Sequence, residues 1–217
     1  MTKPTHKAAG TFAIAPTPFH DDGRIDEKSI DRLTDFYAEV GCEGVTVLGI
    51  LGEAPKLEAS EAEAVAKRFV KRAGKMQIIV GVSAPGFAAM RSLARASMDA
   101  GAAGVMIAPP PNLRTDDQII GYFRQAVEAI GDDIPWVLQD YPLTLSVVFT
   151  PAAPASIEAF ASARIEAKPG AETPTITCMV FARLTKRTAT CSASAASSFG
   201  ASPRMPSTVT PSQPTSA

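Results

Sequence analysis

The chain has 217 residues, 46% of them hydrophobic, which is enough to bury a sizeable core. Its 21 Lys and Arg nearly balance 22 Asp and Glu, and a formal net charge of -1 removes the electrostatic case for a nucleic acid or an anionic membrane as partner. Three cysteines, Cys42, Cys178 and Cys191, are odd in number and not closely paired, so neither a disulfide framework nor a zinc site is expected.

The N-terminus, Met-Thr-Lys-Pro-Thr-His-Lys, lacks the pattern of a signal peptide, and no apolar run is long enough to span a bilayer. A cytoplasmic location follows as an expectation. Thr11 to Ala15 alternates into a first strand that breaks on Pro16-Thr17-Pro18-Phe19, and His20-Asp21-Asp22-Gly23 makes a turn. Asp26 caps a helix whose apolar stripe is Ile30, Leu33, Phe36, Tyr37 and Val40, with Gly41 as a left-handed stop. Val45 to Gly49 is the apolar run of a strand buried on both faces, and Gly49 and Gly52 bracket a tight turn ending on Glu53.

Ser60 with Glu63 reads as a capping box for a helix through Arg72, with Ala62, Val65, Ala66 and Phe69 facing inward and Gly74 behind it. Gln77 to Val82 is a third buried strand, followed by a helix from Phe87 to Asp99 that Gly101 stops. Gly104 to Ala108 is a fourth strand, broken by Pro109-Pro110-Pro111. Thr115 then caps a helix carrying Ile119, Ile120, Phe123, Val127 and Ile130. Trp136 to Leu138 begins a fifth strand ending at Gln139-Asp140-Tyr141-Pro142. Strand and helix thus alternate with short connections, which argues for parallel strands with crossover helices, in either a closed barrel or an open doubly wound sheet.

After Thr150 the character changes. A helix from Ser156 to Phe160 and a strand from Ile165 to Ala167 complete the expected elements, but 31 of the 49 residues from Pro169 to Ala217 are Ala, Ser, Thr or Pro. Such a segment buries too little to offset its ordering entropy. The expected division is therefore a partial barrel over residues 1–168 and a disordered tail over 169–217. An altered reading frame would produce such a shift, since eight βα units need about 250 residues and this chain makes five or six.

From residue 11 to about 145 the order of features resembles the dihydrodipicolinate synthase and N-acetylneuraminate lyase family. The matching residues are Thr17-Pro18-Phe19, Asp22-Gly23 with Ile25-Asp26, Gly49-x-x-Gly52-Glu53, Gly81-Val82, Gly101-Ala102-Ala103-Gly104-Val105, Pro109-Pro110 and Pro142. The resemblance implies a (β/α)8 TIM barrel, here incomplete. It also implies a homo-oligomer and a lyase that binds a 2-oxo acid such as pyruvate through a lysine imine and makes or breaks a carbon-carbon bond. In the family the lysine ends the sixth strand. Ile165-Glu166-Ala167-Lys168 lies 29 positions beyond Gln139, close to the roughly 30 residues of a βαβ unit, so Lys168 is the candidate nucleophile.

For the oxo acid's carboxylate, the turn of Gly49, Ile50 and Leu51 offers backbone N–H groups. The family usually places two hydroxyl-bearing residues where Ile50 and Leu51 stand. Gln139, a substrate-binding candidate, occupies the position of a family tyrosine and cannot shuttle a proton. Tyr141, two residues on along an extended segment, is the candidate proton shuttle. Thr144 aligns with an arginine of the synthases, and Pro110-Pro111 replaces a second tyrosine, which argues against dihydrodipicolinate synthesis itself. Glu53 reads as a structural carboxylate, His6 and His20 as surface residues and Trp136 as core. No GxGxxG, Walker loop or paired metal spacing occurs, so no cofactor or metal is implied. The rival expectation is a catalytically inactive, incomplete barrel that only binds or associates through its open edges.

Overall fold

The computed structural model describes residues 10–166 and 177–180, with residues 163–166 and 177–180 as backbone alone. Six strands are present: β1 (Phe12–Ile14), β2 (Gly44–Val47), β3 (Gln77–Gly81), β4 (Gly104–Ile107), β5 (Trp136–Asp140) and β6 (Thr177–Val180). Between them run α1 (Glu27–Glu39), α2 (Ala59–Arg72), α3 (Phe87–Asp99), α4 (Asp116–Ile130), the single turn α5 (Pro142–Leu145) and α6 (Ala152–Glu166).

The strands pair in parallel and in chain order, β1 to β6. Consecutive parallel pairing takes a crossover of one hand at each step, which puts the crossover helices on one face, and α1, α2, α3, α4 and α6 do pack each against the next. A doubly wound sheet would instead reverse its strand order and cover both faces. The pairing is also staggered: β4 starts opposite Ile79, two residues into β3, and β5 and β6 each start one residue further up their neighbours. That progressive shear is what tilts and curls a parallel sheet into a barrel wall. Six described strands make an incomplete (β/α) barrel.

Alternation along each strand divides its side chains between two apolar layers. Val45, Val47, Ile78, Val80, Val105, Ile107, Trp136 and Leu138 face the helices and join the main core. Ile79, Met106 and Val137, with Phe12 against them, form a second cluster on the concave side. Because both faces are buried, the strands read as continuous apolar runs. Phe123 of α4 is fully buried, stacks on Trp136 at 6.1 Å, and takes edge contacts from Tyr122 and Phe149. Trp136 is therefore core, as its position suggested. Outside, Arg68 of α2 grips Asp31 and Glu27 of α1, Arg72 grips Asp35, and Arg95 of α3 grips Asp133.

Local signals set most boundaries. Asp26 accepts the N–H of Ser29 at 3.0 Å and caps α1, and Thr115 caps α4 by accepting the N–H of Gln118. Three expectations are corrected. On α1 the inward stripe is Ile30, Leu33, Thr34 and Tyr37, while Phe36 and Val40 are 53% and 57% exposed. Residues 36 and 40 fall one row round from the 30-33-34-37 stripe. α2 opens two residues early, on Glu58, whose N–H donates to Glu61 at 2.9 Å, so Ser60 and Glu63 lie inside the helix.

The third correction falls at the chain's change of character. α6 extends to Glu166, so Ile165 and Glu166, expected to open a strand, are its last two residues. A three-residue alternation cannot distinguish a period of 2 from 3.6, and the Ala-rich run before it favours continued helix. The sixth strand comes later, at Thr177–Val180, beyond residue 168, with Met179 opposite Gln139 and Val180 opposite Asp140. Ala167 and Lys168 lie outside the described residues, as does most of the segment from Pro169 onward.

Candidate functional site

Six parallel strands share one C-terminal rim, and in a barrel that rim is where loop backbone and side chains converge over the packed interior. Two of its loops are joined directly. Thr17, past the end of β1 and 6% exposed, donates its hydroxyl to the carbonyl of Gly52 at 2.6 Å. This bond fixes the far end of the turn after β2.

That turn has an unusual backbone. Leu48 leaves β2 at φ 55, Gly49 is extended, and Ile50–Gly52 form one turn of 3-10 helix closed by the Gly52 N–H on the Gly49 carbonyl at 2.9 Å. A 3-10 turn starting at Ile50 leaves the N–H groups of Ile50 and Leu51 without an intrahelical acceptor, so both are presented at its N-terminal end. Glu53 adopts φ 56, and its carboxylate pairs with Lys56 at 2.6 Å, which agrees with a structural role. Gly81 makes this geometry possible: a Cβ there would stand 2.7 Å from the carbonyl carbon of Leu48 and closer still to its oxygen. Gly49 lies over Met106, whose Cε would be 3.1 Å from an added Cβ.

At the end of β5, Gln139 shares the concave side with Val137 and is 5% exposed. Tyr141 follows the strand as the N-cap residue of α5 and is half-buried. Asp140, between them, has one carboxyl oxygen buried with no hydrogen-bond partner, and burial pushes its carboxyl above the ordinary carboxylate range. On β2, Thr46 is wholly buried on the concave side and its hydroxyl also has no partner. Ser83 ties the ends of β3 and β4 by accepting the Ala108 N–H at 2.7 Å. Tyr122 donates to the Ala108 carbonyl at 3.3 Å, and burial pushes its phenol up to about 12.

Of the residues expected from sequence, Gly49, Ile50 and Leu51 form one turn on the rim, and Gln139 and Tyr141 flank the end of β5 at the same end of the sheet. Lys168 lies outside the described residues. His20 is exposed, with Asp26 3.9 Å away. Asp140, Thr46 and Ser83 were not singled out by sequence. A carboxylate ending a buried strand was the one signal that could have marked Asp140, whereas Thr46 sits in a run where threonine is an ordinary strand residue. A groove of ≈ 570 Å³ beside Tyr122, lined among others by Ala84, Phe87, Pro110 and Leu113, shares no residue with the Gly49 turn. Among the described residues no cluster of His, Cys, Asp and Glu is arranged to hold a metal ion, and no helix is long and apolar enough to cross a membrane.

Known proteins are similar in sequence and fold. The model of the dihydrodipicolinate synthetase family covers residues 7–159. A 4-hydroxy-tetrahydrodipicolinate synthase of Nitrosococcus oceani is 33% identical over 135 residues, which is 61% of this chain and 46% of that protein. This chain thus spans about half the length of the curated relatives it matches. A crystal structure of a dihydrodipicolinate synthase from Rhodopseudomonas palustris is 68% identical with a TM-score of 0.72, covering 82% of this chain and 65% of that one. A prophage protein from E. coli K12 of the same family, crystallised in complex with pyruvate, shares the fold at 24% identity and a TM-score of 0.62, over 71% of this chain and 51% of that one.

Proposed function

We propose that this chain, which belongs to the dihydrodipicolinate synthetase family, carries the 2-oxo-acid site of a Schiff-base lyase that makes or cleaves a carbon-carbon bond. The observation that carries this reading is the turn after β2, where the N–H groups of Ile50 and Leu51 have no intrahelical acceptor in a 3-10 turn held by Thr17 and made room for by Gly81. Preorganised backbone donors of this kind suit a carboxylate, and they need no reorganisation when it arrives.

In this reading the neutral ε-amine of Lys168 attacks the ketone carbon of pyruvate, water leaves, and the iminium draws electrons from C3 as a proton departs. The resulting enamine carbon adds to an aldehyde, the carbonyl pair moves onto oxygen, that oxygen takes up a proton, and water then hydrolyses the product iminium to free the amine. Tyr141 carries protons at the β5 end of the rim, and Gln139 hydrogen-bonds the substrate there. No cofactor enters the sequence of steps, because the imine itself is the electron sink.

A second reading is favoured by one specific observation. The described sixth strand, Thr177–Val180, contains no lysine, and Lys168 precedes it in the chain. On that reading the chain binds a 2-oxo acid without turning it over. One experiment separates the two: incubate the full chain with pyruvate and borohydride, weigh it, and map the label. A stable adduct on Lys168 supports the lyase with the amine as assigned, and an adduct on another lysine retains the chemistry but moves the amine. An unlabelled chain with native circular dichroism removes the mechanism and leaves the binding reading.

A further inference from the structure

Among the described residues, the connections that follow β1 to β5 supply the groups on the rim beyond the carboxylate turn. Their basic side chains are Arg24, Lys56 and Arg114, apart from the exposed His20. Each is already engaged. Arg24 pairs with Asp22 at 2.8 Å, Lys56 with Glu53 at 2.6 Å, and Arg114 donates to the carbonyls of Pro111 and Leu113 at 2.6 and 2.8 Å. The connections after β3 and β5 contain no Lys or Arg at all. Acids are more numerous: Asp21, Asp22, Asp26, Glu53 and Glu58 lie in the same connections.

The same rim exposes large apolar side chains. Leu51, in the carboxylate turn itself, is 60% exposed, Leu143 in α5 is 72% exposed, and Phe19 after β1 is 40% exposed. A carboxylate can be met once, by backbone donors. Among the described connections, a second anionic group would find engaged cations, surplus acids and exposed leucine.

We infer that the part of the substrate lying beyond the 2-oxo acid head is uncharged and apolar, of the aryl or alkyl aldehyde class, with Leu51 as the residue that sets this preference. The inference rests on the Schiff-base reading and deepens it. Leucine in the turn offers the incoming group area to cover, and its exposed position means that a replacement changes the rim without disturbing the core.

The test compares two 2-oxo acids with the same head and different far ends, 4-phenyl-2-oxobutanoate and 2-oxoglutarate, in borohydride trapping on the full chain, each normalised to its imine reactivity with a free lysine derivative. Trapping of the phenyl acid should exceed that of 2-oxoglutarate by about tenfold, the effect of covering one ring face. Leu51→Arg should erase or reverse that ratio, with each longer acid read relative to pyruvate on the same variant. Equal trapping, preference for 2-oxoglutarate, or a ratio unmoved by Leu51→Arg overturns the inference. Trapping of pyruvate with neither longer acid overturns it as well and spares the Schiff-base reading. Failure to trap pyruvate overturns that reading itself, and this inference with it.

Discussion

Gly81→Ala is the sharpest probe of how the fold builds its site. An alanine Cβ at this position would stand 2.7 Å from the Leu48 carbonyl carbon and 3.1 Å from the Gly49 nitrogen, and both are backbone atoms rather than flexible side-chain ends. Ordinary carbon contacts lie at roughly 3.5–4.0 Å, so the strand end must retreat by about 1 Å. Val80 and Val82 are fully buried on either side of Gly81, which leaves β3 little room to yield, so the displacement falls on Leu48 and Gly49. Overpacking of this size costs about 1–3 kcal/mol. Leu48 already sits at φ 55, so the segment that must move is one that tolerates few alternatives.

Moving Leu48 and Gly49 moves Ile50 and Leu51 with them, and a misplacement of about 1 Å in a positioning group can lower a rate by about 10²-fold. Urea unfolding followed by far-ultraviolet circular dichroism reads the first effect, and the rate of pyruvate trapping reads the second. A Gly81→Ala chain with unchanged midpoint and unchanged trapping would refute both the close approach of β3 to the turn and the turn's role in holding the carboxylate.

Two further outcomes are expected. Gly121 lies inside α4 with nothing within 4 Å of an added Cβ, so Gly121→Ala should raise stability by about 0.5–1 kcal/mol in the same urea assay, and a loss of stability would show that the position is not open. Asp140 and Asp31 should give pH responses of opposite sign. Burial raises the Asp140 carboxyl, so the native state keeps a proton that the unfolded chain has released. Stability from this group therefore falls as pH rises from the unfolded carboxyl value to the folded one, and Asp140→Asn should gain stability relative to the parent at neutral pH. Hydrogen bonds from Arg68 hold Asp31 below the ordinary range. Its contribution is present above the unfolded value and is lost as pH falls through the folded one, so Asp31→Asn should lose stability at neutral pH and converge with the parent in acid. Urea midpoints across the acid range check both, and parallel curves for all three proteins would remove the assignment.

Much of the wall was legible because its signals are local. Asp26, Thr115, Gly41, Gly101 and Gly131 act within one turn of themselves, and the apolar runs at Gly44–Val47 and Gly104–Ile107 are short, dense and bounded by breakers. α1 shows the limit of that legibility, since Phe36 and Val40 are apolar yet exposed and only the packing of α1 on α2 reveals which row faces inward. For the candidate site, sequence proposed the Gly49 turn, Gln139 and Tyr141, which lie at one end of the sheet. It could not show that Thr17 clasps Gly52 across 35 residues, that Gly81 is glycine because Leu48 crowds it, or that Asp140 ends with an unpartnered buried oxygen. The sixth strand escaped for the same reason. Thr177–Val180 has no distinguishing pattern, and its strand state comes from pairing with β5.

By itself the sequence determined the alternation of strands and helices from β1 to β5, the caps of α1 and α4, and that successive strands run parallel, because capping, turn chemistry and hydrophobic period are properties of neighbours in the chain. Tertiary structure alone decided between a barrel wall and a doubly wound sheet, through consecutive pairing with progressive stagger. It also decided which backbone atoms approach closely enough at the rim to shape a binding turn. Those are distances between residues far apart in sequence, and no local propensity encodes them.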